Sequence, residues 1–219
     1  MSASAATPTR TLQIPGPAGT LEALLDEPAS LSSPQSVAVI CHPHPLYGGT
    51  MTNKVVYSLA KAFNEAGIVA VRFNYRGVGA STGTYDDGNG ETADALAVLE
   101  WAAQRWSGAR LCLGGFSFGG AVAIRAAAAR DVARLVTIAP AIRRVSVDES
   151  SLPQCPWLIV QGDQDELVDP NDIQQWAQAL PESPSLVMLN GVEHFFHGRL
   201  NELRQAVVRW LIELAQLGR

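Results

Sequence analysis

The sequence predicts an α/β protein, an open, mostly parallel, doubly wound sheet of about eight strands with helices on both faces. Three observations lead to that class. From residue 37 onward, short continuous apolar runs alternate with segments of helical periodicity, the pattern of strands covered on both sides by crossover helices. Hydrophobic residues make up 47% of the 219 and charged ones only 17%, enough apolar material for a substantial core. Residues 111–120, Leu-Cys-Leu-Gly-Gly-Phe-Ser-Phe-Gly-Gly, read as a strand, a very sharp turn and a helix. The expectation is a single domain over 1–219, with 1–10 as a loose tail.

Taken in order, Thr11 to Ile14 and Thr20 to Leu25 are strand-like pieces separated by Pro-Gly-Pro, which suggests an antiparallel hairpin at a sheet edge. The later strands are read at Val37 to Cys41, Ile68 to Phe73, Arg110 to Leu113, Leu135 to Ile138, Trp157 to Val160 and Ser185 to Leu189. Thr52 is placed to cap a helix carrying Val56, Leu59, Ala60 and Phe63 at helical spacing and ending at Gly67. A second helix over 91–106 puts Leu96, Leu99, Ala103 and Trp106 on one side. The segment Ala121 to Ala129 is almost wholly small and apolar, which predicts a buried central helix. A short helix follows Pro170, and a last one over 200–217 carries an apolar stripe of Leu203, Val207, Trp210, Leu211 and Leu214.

Composition excludes several function classes. The net charge of −5 leaves no broad basic surface for a phosphate backbone, so no nucleic-acid partner is expected. The first ten residues lack the basic start and apolar core of a signal peptide, and no later run approaches membrane-spanning length. A cytoplasmic protein without a membrane partner is therefore expected. Cys41, Cys112 and Cys155 are odd in number and lack metal-site spacing, which predicts buried free thiols and no metal.

Gly115-Phe116-Ser117-Phe118-Gly119 fits a G-x-S-x-G nucleophile elbow, in which a strained turn lifts the serine hydroxyl clear of the sheet while glycines let neighbouring backbone approach. Chance gives about 0.1 such matches in a chain this rich in glycine, so partners must carry the rest. A serine hydroxyl needs a histidine to take its proton, and the histidine needs a carboxylate to fix its tautomer. Carboxylates follow the strand at Trp157 in Gly162-Asp163-Gln164-Asp165-Glu166 and at Asp169, and histidines follow the strand at Ser185 at His194 and His197. The first amide of an oxyanion hole is expected from Phe118 and the second from the loop after Cys41. Pro43 and Pro45 have no N–H, which leaves His44, Leu46 or Tyr47. His42 and His44 are read as shaping the pocket or hydrogen-bonding its loop, the phenylalanines at 116, 118, 195 and 196 as core and pocket wall, and Arg76 as bracing its own loop.

With the order serine, aspartate, histidine in place, the chain resembles an α/β-hydrolase over nearly its whole length. The segment Cys41-His42-Pro43-His44-Pro45-Leu46-Tyr47-Gly48-Gly49-Thr50-Met51 is similar to a group of small, lidless bacterial serine hydrolases related to dienelactone hydrolases, and Arg76-Gly77-Val78-Gly79-Ala80-Ser81 resembles the R-G-x-G-x-S loop of the superfamily. The resemblance implies Ser117 as nucleophile, Asp165 at the end of a G-x-x-D turn as the acid, and His194 in a G-x-x-H-x-F setting as the base. It favours Leu46 beside Phe118 in the oxyanion hole, with His44, Tyr47 and Phe116 toward the substrate. Dienelactone hydrolases carry cysteine at the elbow where this chain has Ser117, so the resemblance does not extend to their substrate. Fewer than twenty residues, Ala139 to Pro156, separate two strands where many relatives insert a helical cap, which predicts an open site. The implied activity is cofactor-free cleavage of small soluble esters or thioesters through an acyl-enzyme. Acyl transfer, a peptidase-like reaction on the same three residues, and a non-catalytic binding protein are the alternatives.

Overall fold

The computed structural model describes residues 9–28, 34–145, 147–148 and 151–217. Strands β1 (Thr9–Gly16) and β2 (Gly19–Asp26) turn at Pro17-Ala18 and pair antiparallel, with Leu12 opposite Ala23. Then follow β3 (Ser36–Cys41), α1 (Lys54–Glu65), β4 (Val69–Phe73), α2 (Asn89–Arg105), β5 (Arg110–Phe116), α3 (Phe118–Ala129), β6 (Arg134–Ile138), β7 (Trp157–Gly162), α4 (Pro170–Ala179), β8 (Ser185–Leu189) and α5 (Leu200–Leu217). The eight strands form one sheet in the order β1-β2-β4-β3-β5-β6-β7-β8. Only β2 runs against the others, because both of its pairings are antiparallel and every later pairing is parallel.

Alternation of side chains divides the core into two layers. Val37, Val39 and Cys41 of β3 face α2, α3 and α4, whereas Ala38 and Ile40 face α1 and α5. Both faces of the central strands are buried, which is why they read as unbroken apolar runs. The apolar stripe of α5 buries Leu203, Val207 and Leu211, with Trp210 packed at its edge. No helix among the described residues is long and apolar enough to cross a membrane.

Three expectations about elements are corrected. Asn53, and not Thr52, caps α1: its side-chain oxygen accepts from the amides of Val55 and Val56 at 2.9 and 3.4 Å. The Thr52 hydroxyl is taken up by Thr50 at 2.8 Å. On α2 the buried apolar side chains are Ala95, Val98, Leu99 and Ala102, so of the expected stripe only Leu99 is fully buried, while Leu96 and Trp106 pack at the core's edge. Contact with α3 sets the rotation of the helix, which periodicity alone left open. Strand β5 runs through Gly114, Gly115 and Phe116, three residues past the expected end, because parallel pairing to β3 and β6 holds the glycines in the ladder.

Candidate active site

Ser117 sits between β5 and α3 at φ 56° and ψ −118°, a backbone conformation rare for a residue with a side chain. Bonds on both sides hold it there. Its amide donates to the Ile138 carbonyl at 2.9 Å, and its own carbonyl accepts from Gly120, Ala121 and Ala141. A Cβ on Gly115 would run into the carbonyl of Gly119, and one on Gly119 into the carbonyls of Cys41 and His42. The two glycines let the turn close this tightly between neighbouring strands.

The loop after β8 brings His194 to the serine. Its Nε2 lies 3.0 Å from Ser117 Oγ, and its Nδ1 lies 2.7 Å from Asp165 Oδ2. An ionised carboxylate only accepts, so this pairing places the ring proton on Nδ1 and leaves Nε2 free to accept the serine proton. Asp165 is itself fixed: Oδ1 accepts from the amides of Leu167 and Val168 at 2.9 and 2.8 Å, and Oδ2 accepts from the Gln161 side chain at 2.9 Å. His194 and Asp165 are both buried. The Glu166 carboxylate accepts from the His194 amide at 3.3 Å, a second tie on the same loop.

The rival residues have other work. Asp163 accepts from the Gly191 amide at 2.6 Å and joins the two loops, while Asp169 caps α4 through the Asn171 amide at 2.9 Å. His197 is exposed and pairs with Glu193 at 3.0 Å. His42 is buried beneath the loop that follows β3. Its Nδ1 donates to the Pro43 carbonyl at 2.7 Å and its Nε2 accepts from the Tyr75 amide at 3.2 Å, which fixes a neutral ring. Burial pushes its pKa down to about 3. Arg76 braces its loop as expected, pairing with Asp94 at 2.8 Å. All three cysteines are free thiols, and burial raises Cys41 to about 12 and Cys112 and Cys155 to about 11.

Two expected positions are corrected. The Leu46 amide donates to His44 Nδ1 at 3.3 Å within its own turn, and the Leu46 side chain points to solvent at 66% exposure. Because Pro45–Tyr47 winds into a 3₁₀ turn, the Tyr47 and Gly49 amides also close back onto the His44 carbonyl, at 3.1 and 3.0 Å. Among the described residues, the His44 amide is the one in this stretch that makes no hydrogen bond. Phe116 does not reach the cleft. It is buried in β5, with its ring centroid 5.0 Å from that of His194, and so supports the imidazole from below.

Ser117, Phe118 and His194 open onto a cleft of about 430 Å³, as do His44 and Tyr47. Leu167, Val168 and Phe195 supply apolar wall, and Asn53 and Arg144 polar wall. The described residues between Ile138 and Trp157 form turns and no helix that would cover the mouth. Gln161 and Arg144 were missed from the sequence. Gln161 closes a strand that reads only as apolar, and Arg144 lies in a turn with no motif around it. Among the described residues, no group of three or more His, Cys, Asp or Glu side chains is arranged to hold a metal ion.

Comparison with known proteins agrees with this fold. The model of the family described as X-Pro dipeptidyl-peptidase (S15 family) matches residues 20–154, a span that holds the elbow and stops before Asp165 and His194. A solved α/β serine hydrolase homologue from Coxiella burnetii is 44% identical, covering 91% of this chain and 96% of that one at a TM-score of 0.86. An α/β serine hydrolase without a lid from Xanthomonas campestris is 41% identical, covering 95% of each chain at a TM-score of 0.88. An uncharacterised protein of Rickettsia prowazekii is 36% identical over 210 residues, 91% of this chain and 87% of that protein.

Proposed function

This chain belongs to the S15 peptidase family within the α/β-hydrolase superfamily of serine hydrolases, and from that premise we propose that it is a carboxylesterase acting on small soluble esters or thioesters. The observation that carries the reading is the continuous line from Asp165 through His194 to Ser117, at 2.7 and 3.0 Å, ending on a serine held at positive φ.

In this mechanism His194 takes the proton of Ser117 Oγ as the oxygen attacks the acyl carbonyl, and Asp165 stabilises the imidazolium that forms. The oxyanion is received by the amide of Phe118, at the unpaired start of α3, and by that of His44. The Leu46 amide is committed within its own turn, so His44 takes its place in the proposal. His194 then protonates the departing alcohol or thiol, the acyl group remains on Ser117, and water activated by the same histidine releases the acid. Neutral His42, clamped between Pro43 and Tyr75, keeps the donor loop fixed before substrate arrives.

A dipeptidyl-peptidase activity is the second reading, favoured by the family match. Such a substrate presents a free ammonium group, which calls for an anionic partner. Among the described residues no Asp or Glu lines the cleft, and Arg144 does, so the pocket favours the ester reading.

The test is intact-mass spectrometry after treatment with a small fluorophosphonate. One adduct should form on Ser117, be absent from Ser117→Ala, and form at least about 100-fold more slowly in His194→Ala and Asp165→Asn. Labelling of Ser117→Ala at the wild-type rate, or no labelling of the folded wild type, would overturn the proposal.

A further inference from the structure

We propose that Arg144 forms an anion-binding subsite at the mouth of the cleft, and that the esters this protein cleaves carry a negatively charged group, with a carboxylate as its simplest form. The inference rests on the esterase reading above and names the substrate class of that same site.

Among the described residues, Arg144 has no ion-pair partner, whereas Arg143, next in the chain, pairs with Asp172 at 2.6 Å. Its guanidinium lies 5.7 Å from the ring centroid of Tyr47, also at the cleft. At that distance the ring face attracts the cation while its N–H fork stays open for a planar acceptor. Four acids around the site are engaged elsewhere. Asp165 lies behind His194 with its oxygens hydrogen-bonded, Asp169 caps α4, and Glu166 and Glu193 hold the amides around His194.

The sign of the cleft is therefore opposite to that of the chain. The protein carries a net charge of −5, yet among the described residues the only full charge lining the cleft with Ser117 is positive. The field reaches into the site: after burial, Arg144 is the next cause that makes His44 harder to protonate, opposed by Asp87. An acidic surface with one cationic opening turns most anions away and admits one that engages Arg144. A neutral ester makes no use of that charge, while a carboxylate on the acyl or alcohol portion pairs with the fork as the carbonyl meets Ser117.

Two matched ester pairs test this at low ionic strength. One pair puts the charge on the acyl side, p-nitrophenyl hemiglutarate against p-nitrophenyl pentanoate. The other puts it on the alcohol side, 4-acetoxybenzoate against its methyl ester. In at least one pair the anionic member should be favoured about tenfold in kcat/KM, a preference that shrinks with added salt. The ratio within that pair should fall close to one in Arg144→Gln and be partly restored in Arg144→Lys. Arg143→Gln should keep the wild-type ratio. Because each ratio is taken within one variant, a general loss of active protein cancels. Ratios at or below one in both pairs for the wild type, or a preference that survives Arg144→Gln, would overturn the subsite while fluorophosphonate labelling of Ser117 still stood. Absence of that labelling overturns the esterase reading, and the subsite with it.

Discussion

At the scale of single residues, the position that best separates rate from stability is Gln161. Its side-chain nitrogen donates to the same Asp165 oxygen that faces His194, while its own side-chain oxygen is buried without a partner. A buried amide oxygen left unpaired costs about 1–3 kcal/mol, which makes a purely stabilising role for this glutamine a poor account. Gln161→Met keeps the approximate volume, removes the orphaned oxygen and leaves Asp165 its two backbone donors. The expected outcome is kcat/KM lowered about tenfold with a Tm unchanged or raised, read by ester kinetics and calorimetry on the same preparation. A fall in Tm without a fall in rate would make Gln161 a packing residue. Ser117 and its family of partners were legible because the chemistry demands particular residue types at strand ends. Gln161 was not, since a polar residue ending an apolar run carries no sign of which neighbour it will meet.

At the scale of elements, the elbow depends on how closely α3 and the end of β3 approach β5. The Cβ missing from Gly119 is what allows the backbone at Cys41 and His42 to lie against the start of α3. Overpacking of this kind typically costs about 1–3 kcal/mol. Gly119→Ala should therefore lower unfolding stability by about 2 kcal/mol in urea and slow acylation, since the Phe118 amide must move with the helix end. A variant as stable and active as wild type would show that the approach is less close than described. Strand and helix positions were largely legible from apolar runs and their spacing, including α5 with Leu203, Val207 and Leu211 on its buried face. The rotation of α2 and the cap of α1 were not, because both depend on contacts made after the elements pack.

At the scale of the whole molecule, stability is tied to protonation through His42, which is buried neutral beneath the loop after β3. Its pKa is lowered by burial to about 3 from an ordinary value of 6.5. Between those values the unfolded chain binds a proton that the folded chain does not, so stability is full above pH 6.5 and falls as the pH drops toward 3. The slope from this one group reaches about 1.4 kcal/mol per pH unit. Urea unfolding across pH 4–7 should show it, and His42→Asn should flatten the profile by up to one proton, whereas an unchanged slope would mean that other groups dominate. The sequence alone determined the class of fold, the order of its strands and helices, and the three residues that the chemistry singles out, because burial on both faces of a parallel sheet and the demands of an activated serine leave their marks on local pattern. Tertiary structure decided which amide of the Pro43–Gly49 loop stays free, that Phe116 lies under His194 and not in the cleft, and that Arg144 lines the same cleft as Ser117 and, among the described residues, meets no carboxylate. These depend on where loops from distant strands converge, and a convergence between residues far apart in the chain has no period, spacing or composition by which a sequence could announce it.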